Sequence, residues 1–199
     1  MSIDPATLDA DPLRQFDAWL ADAETAGLPL PTAFALATAD AGGAPSVRMV
    51  LLRGHGPDGF RFFTDRRSLK GRDLAANPRA AAAFYWAEPG RQVRLHGRVE
   101  ALSAEDSAAY FATRPRGSQL SAWASEQGVE LATRGELSDR VTELAERFGA
   151  EVPLPPHWGG YRLMPQAYEF WVSRPDRLHD RVEYRRGADG GWDRRRLQP

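Results

Sequence analysis

Several kinds of residue and segment are missing from this 199-residue chain, and each absence narrows the possible functions. There is no cysteine, which excludes disulfides, thiolate metal ligands and a cysteine nucleophile. No apolar run approaches the roughly 20 residues that span a bilayer, and the N-terminal stretch MSIDPATLDADP lacks the pattern of a signal peptide. The formal net charge is −1, so no overall field draws the chain to nucleic acid or membrane. We therefore expect a cytoplasmic protein that binds neither.

Lysine is almost absent as well. Of the 26 basic residues, Lys70 is the only lysine, and the rest are arginines. In such a chain a single arginine is weak evidence for a binding site, whereas the one lysine merits attention. The four histidines (His55, His96, His157 and His179) are scattered without the i, i+4 pairing of a metal site, so we expect no metal.

Common catalytic and nucleotide-binding motifs are not supported either. The chain has no G-x-S-x-G, which argues against a Ser-His-Asp hydrolase. It has no G-x-x-x-x-G-K-[ST], and its glycine-rich turn GHGPDG leads into another strand-like segment. Standard nucleoside triphosphate and dinucleotide sites are therefore not expected.

The pattern of apolar residues and turns predicts an α+β fold. Strands are expected over residues 32–39, 46–53, 60–64, 80–86 and 91–102, then near Tyr161, near Phe170, and over 181–185 and 192–197. Their connections are too short for helical crossovers, which favours antiparallel pairing. Helices are expected from Asp11 to about Gly27, over 68–76, from Ser103 to about Arg114, and over 119–127 and 136–148. We predict a mostly antiparallel, barrel-like sheet with peripheral helices, forming one domain over residues 11–199 behind a flexible segment of residues 1–10.

One basic cluster lies in the first half of the chain and predicts an anion site. Arg48 is charged within an apolar strand, where burying it unpaired would be costly. Ser68 and Lys70 come at the start of a helix, whose free N–H groups favour a phosphate. Taken singly, a buried ion pair and a solvated lysine are the simpler interpretations. Together they favour a phosphate between a strand and a helix N-terminus.

A second polar cluster follows in YFATRPRGSQLSAWAS. Tyr110, Arg114 and Ser118 recur at four-residue steps and offer the donors that another phosphate would need. Pro115 is expected to break the helix between them. From spacing alone, a polar helix end is the simpler interpretation.

A third cluster lies near the C-terminus, in EFWVSRPDRLHDR (residues 169–181). Arg177, His179 and Arg181 occupy alternate positions, and on a β-strand alternate side chains share a face. They would then converge on one ligand. The alternative is a charged, solvated edge strand.

This third stretch resembles the signature of the pyridoxamine 5′-phosphate oxidases, roughly E-[FY]-W, five residues, then R-[LM]-H-[DN]-R. RMVLLR, FFT, SLKG, NPRAA, RQVRLHG, VPLPPHWGGYR and RLQP resemble other blocks of that family, in the family's order, from about Pro12 to Pro199. The resemblance implies an FMN-binding split β-barrel that works as a homodimer, with the flavin at the subunit interface. It implies oxidation of pyridoxamine or pyridoxine 5′-phosphate to pyridoxal 5′-phosphate, with O2 as acceptor and hydrogen peroxide as product.

The resemblance also implies roles, residue by residue. FMN would be held by Arg48, Met49, Val50, Leu51, Phe63, Thr64, Lys70, Gln92, Gln127, Trp171 and Arg181. The substrate phosphate would be bound by Arg53, Tyr110, Arg114 and Ser118, with Arg53 in place of the family's usual lysine. Arg177 and His179 would face the substrate ring as catalytic residues, and the histidine could either orient the substrate or accept a proton.

Two alternative functions stay open at this point. One is a related flavin oxidase acting on another aromatic compound, as in phenazine pathways. The other is a non-catalytic carrier of flavin or pyridoxal phosphate.

Overall fold

The computed structural model describes residues 2–188 and 190–199. Five α-helices are found in these ranges: α1 (Pro12–Thr25), α2 (Leu69–Ala76), α3 (Ala104–Ala112), α4 (Arg116–Ala124) and α5 (Arg134–Phe148). The strands are β1 (Ala33–Ala39), β2 (Pro45–Leu51), β3 (His55–Gly56), β4 (Gly59–Asp65), β5 (Arg79–Trp86), β6 (Arg91–Ala101), β7 (Trp158–Val172), β8 (Asp180–Arg186) and β9 (Trp192–Leu197). No helix in the described ranges is long and apolar enough to cross a membrane.

All strands belong to one sheet with the order β2-β1-β5-β6-β7-β4-β3, and β8 and β9 extend it from β7. Every pairing is antiparallel. The two ends of the sheet meet just after β2, where Arg53 N donates to Arg61 O at 2.8 Å and Arg61 N donates to Gly54 O at 2.7 Å. The predicted α+β fold with a mostly antiparallel barrel is confirmed.

Helix boundaries follow the capping residues. Asp11 caps α1 by accepting from Leu13 N at 2.9 Å, and Pro12 takes the first helical position. Pro115 separates α3 from α4, as expected. Because α4 begins directly after that proline, it starts and ends three residues earlier than the sequence predicts.

The core forms because β-strand alternation sends every second side chain inward, as the strictly alternating burial of β1 shows. Phe16 of α1 is fully buried and meets Phe60 and Phe84 edge-on, with ring centroids 4.9 and 5.0 Å apart. Each such buried aromatic contributes about 1.5–3 kcal/mol relative to an exposed one. Helix α1 therefore packs its apolar face against the core of the sheet.

One long strand, β7, replaces the two separate strands expected near Tyr161 and Phe170. It pairs with β6 over most of its length, with β4 through its first residues and with β8 through its last. Pro165 suggests a break, but it lies opposite a bulge at Gly97, where a proline does not interrupt the ladder. A Cβ at Gly97 would lie 1.9 Å from Met164 O, so this crossing requires glycine.

Residues 2–10, expected to be flexible, lie against β8 and β9. Ile3 and Leu8 are buried. Arg194 Nη1 donates to Leu8 O at 2.9 Å, and the Tyr184 hydroxyl donates to Asp9 O at 2.7 Å. The expected flexibility stays a prediction, and these contacts weigh against it.

Candidate active site

A cavity of about 400 Å³ lies between β2, β4, the start of α2 and the end of α3. It gathers most of the residues that the family resemblance assigns to FMN and to the substrate phosphate. Its lining consists of Arg48, Met49, Val50, Leu51, Arg53, Phe63, Thr64, Lys70, Tyr110, Arg114, Gln127 and Trp158. The volume falls within the range typical of small-molecule sites.

Lys70 lies at one side of this cavity as a buried cation. Ser68 caps α2, and the lysine in the first turn folds back over the cap. Its Nζ donates to Gln127 Oε1 at 2.7 Å, Thr64 Oγ1 at 3.1 Å and Ser68 Oγ at 3.2 Å. Burial lowers the pKa of Lys70, and the charge of Arg48 lowers it further. Within the described ranges no carboxylate comes close enough to Lys70 for an ion pair, so an anion in the cavity would satisfy this charge.

Arg48 is held in place by a network that the sequence did not reveal. Its guanidinium donates to Thr38 Oγ1 at 2.7 Å and to Ser46 Oγ at 2.5 Å. Both hydroxyls donate in turn to Oδ2 of Asp73, at 2.6 and 2.8 Å, and this carboxylate of α2 is only 3% exposed. Burial lowers the pKa of Arg48, opposed by the charge of Asp73. The helix thus fixes the arginine's direction through two hydroxyl groups.

The other side of the cavity has an aromatic wall and a second cationic group. The rings of Phe63 and Tyr110 stack at 3.9 Å, and Trp158 stacks on Phe63 at 5.4 Å. The Arg114 guanidinium lies 4.7 Å from the Trp158 ring centroid. Its Nη1 is buried and has no hydrogen-bond partner among the residues that the structure describes. Burial lowers the pKa of Arg114, and nearby Arg53 lowers it further, so this group also favours an anion.

Trp158 is a cavity residue that the sequence reasoning missed. The only signal was an aromatic residue at the end of the proline-rich linker, before two glycines. Gly160 pairs with Phe63 across β4 and β7, and a Cβ there would come 2.6 Å from the phenyl ring. Glycine therefore allows the strand to approach this wall closely.

The residues of this cavity fit a phosphorylated, planar ligand. Lys70 and Arg48 form one cationic group, and Arg114 with Arg53 forms another. A buried, unpartnered guanidinium nitrogen is costly unless a ligand satisfies it. The stacked rings supply a flat apolar surface.

A second group of candidate residues lies elsewhere on the sheet. Gln92, Trp171 and Arg181 are direct neighbours across β6, β7 and β8, and we call them the β6–β8 row. None of them lines the cavity. The cavity of one chain therefore holds only the first group of candidate residues.

Arg181 of this row is oriented by Glu169, a buried carboxylate whose role was not predicted. Glu169 accepts from Arg181 at 2.9 and 3.0 Å and also from Arg94. Burial alone would raise the pKa of Glu169, but the hydrogen bond from Arg181 and the charge of Arg94 outweigh it and leave the pKa below its usual value. The carboxylate is therefore ionised and holds the Arg181 guanidinium in place through an ion pair.

The prediction that Arg177, His179 and Arg181 share one strand face is wrong. Pro175 to Arg177 form a single 3-10 turn, and β8 begins only at Asp180. Pro175 cannot donate to a strand ladder, and Asp176 and Arg177 take left-handed φ values of 56° and 61° that reverse the chain.

The turn nevertheless brings His179 beside the β6–β8 row, with its ring centroid 4.6 Å from that of Trp171. Arg177 is exposed and makes no hydrogen bond or ion pair to any described residue. Ser118 lies half-buried on α4, outside the cavity lining.

Comparison with known proteins identifies the family. One family model, described as Pyridoxamine 5′-phosphate oxidase, matches residues 20–148. A second, the Pyridoxine 5′-phosphate oxidase C-terminal dimerisation region, matches residues 158–199. Proteins named Pyridoxine/pyridoxamine 5′-phosphate oxidase from Cupriavidus pinatubonensis and Paraburkholderia phytofirmans are 52% and 51% identical over 198 and 199 residues. Each match covers 100% of this chain and 93% of the relative.

Two solved structures extend the comparison. PhzG from Burkholderia lata 383, solved with tetrahydrophenazine-1-carboxylic acid, superposes with a TM-score of 0.93 at 33% identity, covering 100% of this chain and 98% of that one. A pyridoxamine 5′-phosphate oxidase-related, FMN binding protein from Nostoc punctiforme gives a TM-score of 0.77 at 20% identity, covering 96% and 100%, and supports the expected split-barrel fold alone. With both family models matched in order and full-length relatives half identical to it, the chain belongs to the pyridoxamine 5′-phosphate oxidase family, which makes it an enzyme with FMN as its cofactor, as the resemblance implied.

Proposed function

We propose that this enzyme oxidises pyridoxamine 5′-phosphate and pyridoxine 5′-phosphate to pyridoxal 5′-phosphate, with O2 as the electron acceptor and hydrogen peroxide as its reduction product. With the amine substrate, water is also consumed and ammonia is released. The observation that carries the proposal is a single cavity with two separate cationic groups, one for the phosphate of FMN and one for the phosphate of the substrate. The names of the half-identical relatives support the same reaction.

The cofactor side of the cavity centres on Lys70. Lys70 and Arg48 bind the FMN phosphate, and Thr64 and Gln127 hold the lysine in position through their side-chain oxygens. Met49, Val50, Leu51 and Phe63 supply the remaining contacts of β2 and β4. When bound, FMN supplies the two-electron redox chemistry that no side chain of this protein offers.

The substrate side centres on Arg114. Its unpartnered Nη1 and the guanidinium of Arg53 bind the substrate phosphate, together with the Tyr110 hydroxyl. A planar guanidinium at position 53 can bind phosphate in a bidentate manner, so it can replace the lysine usual in the family. Ser118 is proposed from the family pattern alone.

A homodimer is proposed to complete the site. The outer face of β1, β2 and β5 is apolar, with Val47 and Met49 69% and 66% exposed and alanines beside them. The shallow cavity on this face continues to Arg94 and Glu169, next to the β6–β8 row. A second copy covering this face would bring its own row to FMN at the subunit interface, which fits the matched dimerisation region.

In this arrangement Arg177 acts on the substrate ring. Its guanidinium, which has no ion-pair partner among the described residues, would lie against the ring and hold C4′ in position for loss of a hydride. His179, in the same turn, contacts the substrate beside it.

Anaerobic spectroscopy tests this function directly. Pyridoxamine 5′-phosphate added to the yellow holoenzyme without oxygen should bleach the flavin absorbance, and admitted O2 should restore it. An intact flavin spectrum at saturating substrate would contradict the proposal.

The structural similarity to PhzG supports a second candidate, oxidation of a reduced phenazine carboxylic acid. The same anaerobic experiment with tetrahydrophenazine-1-carboxylic acid separates the two functions, because the true substrate should reduce the flavin faster at equal concentration. Two guanidinium groups on one anion favour a dianionic phosphate over a carboxylate, and hence the B6 substrate.

A further inference from the structure

We infer that His179 acts on the substrate only as a hydrogen-bond donor, through Nε2–H, and does not accept a proton during the reaction. The inference rests on the proposed function and chooses between the two histidine roles that the sequence left open. It depends on which ring nitrogen carries the proton.

The hydrogen bond at Nδ1 fixes the tautomer. Nδ1 of His179 lies 3.1 Å from the main-chain N of Arg174, which can only donate. Nδ1 must therefore present its lone pair. A neutral imidazole carries one proton, which is then on Nε2. In the Nδ1–H tautomer and in the imidazolium, the Nδ1–H of His179 would point at the main-chain N–H of Arg174, and neither group could accept a hydrogen bond.

The turn that carries His179 is closed on itself, which keeps the ring in this orientation. Leu178 N donates to Pro175 O at 3.2 Å, and Arg174 Nε donates to Asp180 Oδ2 at 2.7 Å. The ring also packs against Trp171. Turning the imidazole over would break its bond to Arg174.

Asp180 is anchored from outside the turn as well. Ser2 Oγ donates to its Oδ2, and Arg196 Nη1 donates to its Oδ1, both at 3.1 Å. The N-terminal segment and β9 therefore support the turn.

Nε2 is the nitrogen available to a ligand. The ring is half-buried, and Nε2 makes no hydrogen bond to any residue within 2–188 or 190–199. Since Nε2 already carries a proton and Nδ1 is engaged, neither nitrogen offers a free lone pair. On oxidation the substrate would lose a hydride from C4′, which FMN would accept, and one proton from the attached nitrogen or oxygen. That proton leaves to solvent, and His179 positions an acceptor atom of the substrate.

Nitrogen-15 NMR of histidine-labelled protein reads the tautomer without any turnover, so it stands independently of the proposed function. In both apoprotein and FMN-loaded protein we expect the histidine signals that vanish in His179→Gln and persist in His96→Gln to be those of a protonated Nε2 and an unprotonated Nδ1. An Nδ1–H tautomer or an imidazolium at His179 would overturn the inference.

A pair of substitutions tests the donor role in catalysis. A glutamine amide nitrogen reaches the place of Nε2, whereas that of asparagine reaches only the place of Nδ1. In stopped-flow flavin reduction by pyridoxamine 5′-phosphate, His179→Gln should stay within about tenfold of wild type, and His179→Asn and His179→Ala should fall at least about tenfold further. Equal losses for glutamine and alanine would refute the donor role. If wild-type flavin is not reduced, the proposed function fails and the tautomer measurement alone decides the protonation state.

Discussion

Replacing Lys70 with methionine should weaken FMN binding and stabilise the apoprotein at the same time. Methionine matches the length of the lysine stem and keeps the apolar contacts. The three acceptors around Nζ do not become isolated, because Thr64 still donates to Gln127 Oε1 and Ser68 still donates to Asp65 O. What disappears is a buried cation that has only neutral partners until the cofactor binds.

Both effects, weaker FMN binding and a more stable apoprotein, follow from the removal of one buried charge. A hydrogen bond to a charged group contributes about 1.5–3 kcal/mol, so the dissociation constant of FMN should rise on the order of 10- to 100-fold. In the apoprotein, burial holds the pKa of Lys70 below its ordinary 10.5, so the unfolded chain binds this proton more tightly. Wild-type stability should therefore increase as the pH rises through the interval just below 10.5, and the methionine variant should lose that increase.

Fluorescence titration with FMN and thermal unfolding of the apoprotein measure the two effects. Arg72→Met is the matched control, because this exposed arginine lies on the same helix and its removal changes the net charge equally. A dissociation constant for Lys70→Met within about threefold of that control, or an apoprotein less stable than wild type, would refute the reasoning.

Three other substitutions probe the remaining charged groups. Asp73→Asn should loosen Arg48 and weaken FMN binding by about tenfold, and an unchanged titration would show that the hydroxyl network does not position the arginine. Arg53→Ala should raise KM for pyridoxamine 5′-phosphate with kcat little changed, because the phosphate is bound alike in ground and transition states; steady-state kinetics with a reduced kcat at constant KM would place Arg53 at the reacting carbon instead. Glu169→Gln should reduce the loss of folding stability at low pH. The pKa of Glu169 lies below 4.5 in the fold, so the ionised carboxylate stabilises the fold fully above pH 4.5 and loses this effect as the pH falls below that value. Denaturant titrations in which the free energy of unfolding falls equally with decreasing pH in both proteins would contradict the ion pair between Glu169 and Arg181.

The sequence predicted best where the signal is local. Alternating apolar residues and short turns placed most of the strands within a few residues, and Ser68 marks the start of α2 as its cap. Arg48 and Lys70 meet in one cavity because the strand and the helix that carry them are close in the chain. Local patterns are sufficient for such features.

Features that depend on register or on unusual backbone could not be predicted. Asp73 lies 35 residues from Thr38 and 27 from Ser46, so their contact follows only from the pairing of β1 with β2 and the packing of α2. The alternate spacing of Arg177 and His179 is typical of a strand. With no glycine in this segment, the sequence does not predict that two consecutive residues adopt a left-handed backbone.

Strand β7 also determines the order in which the chain can fold on the ribosome. Its first residue is made about ninety residues after the end of β4, whose partner it is. At 5–20 residues per second, β4 waits roughly 5–20 s for that partner. During this time the edges of β4 and β6 stay open to pairing with other chains, which is a route to aggregation. The gap between the two matched family regions, residues 149–157, is therefore no place to divide the protein for expression, since the first part alone would lack the strand that joins its edges.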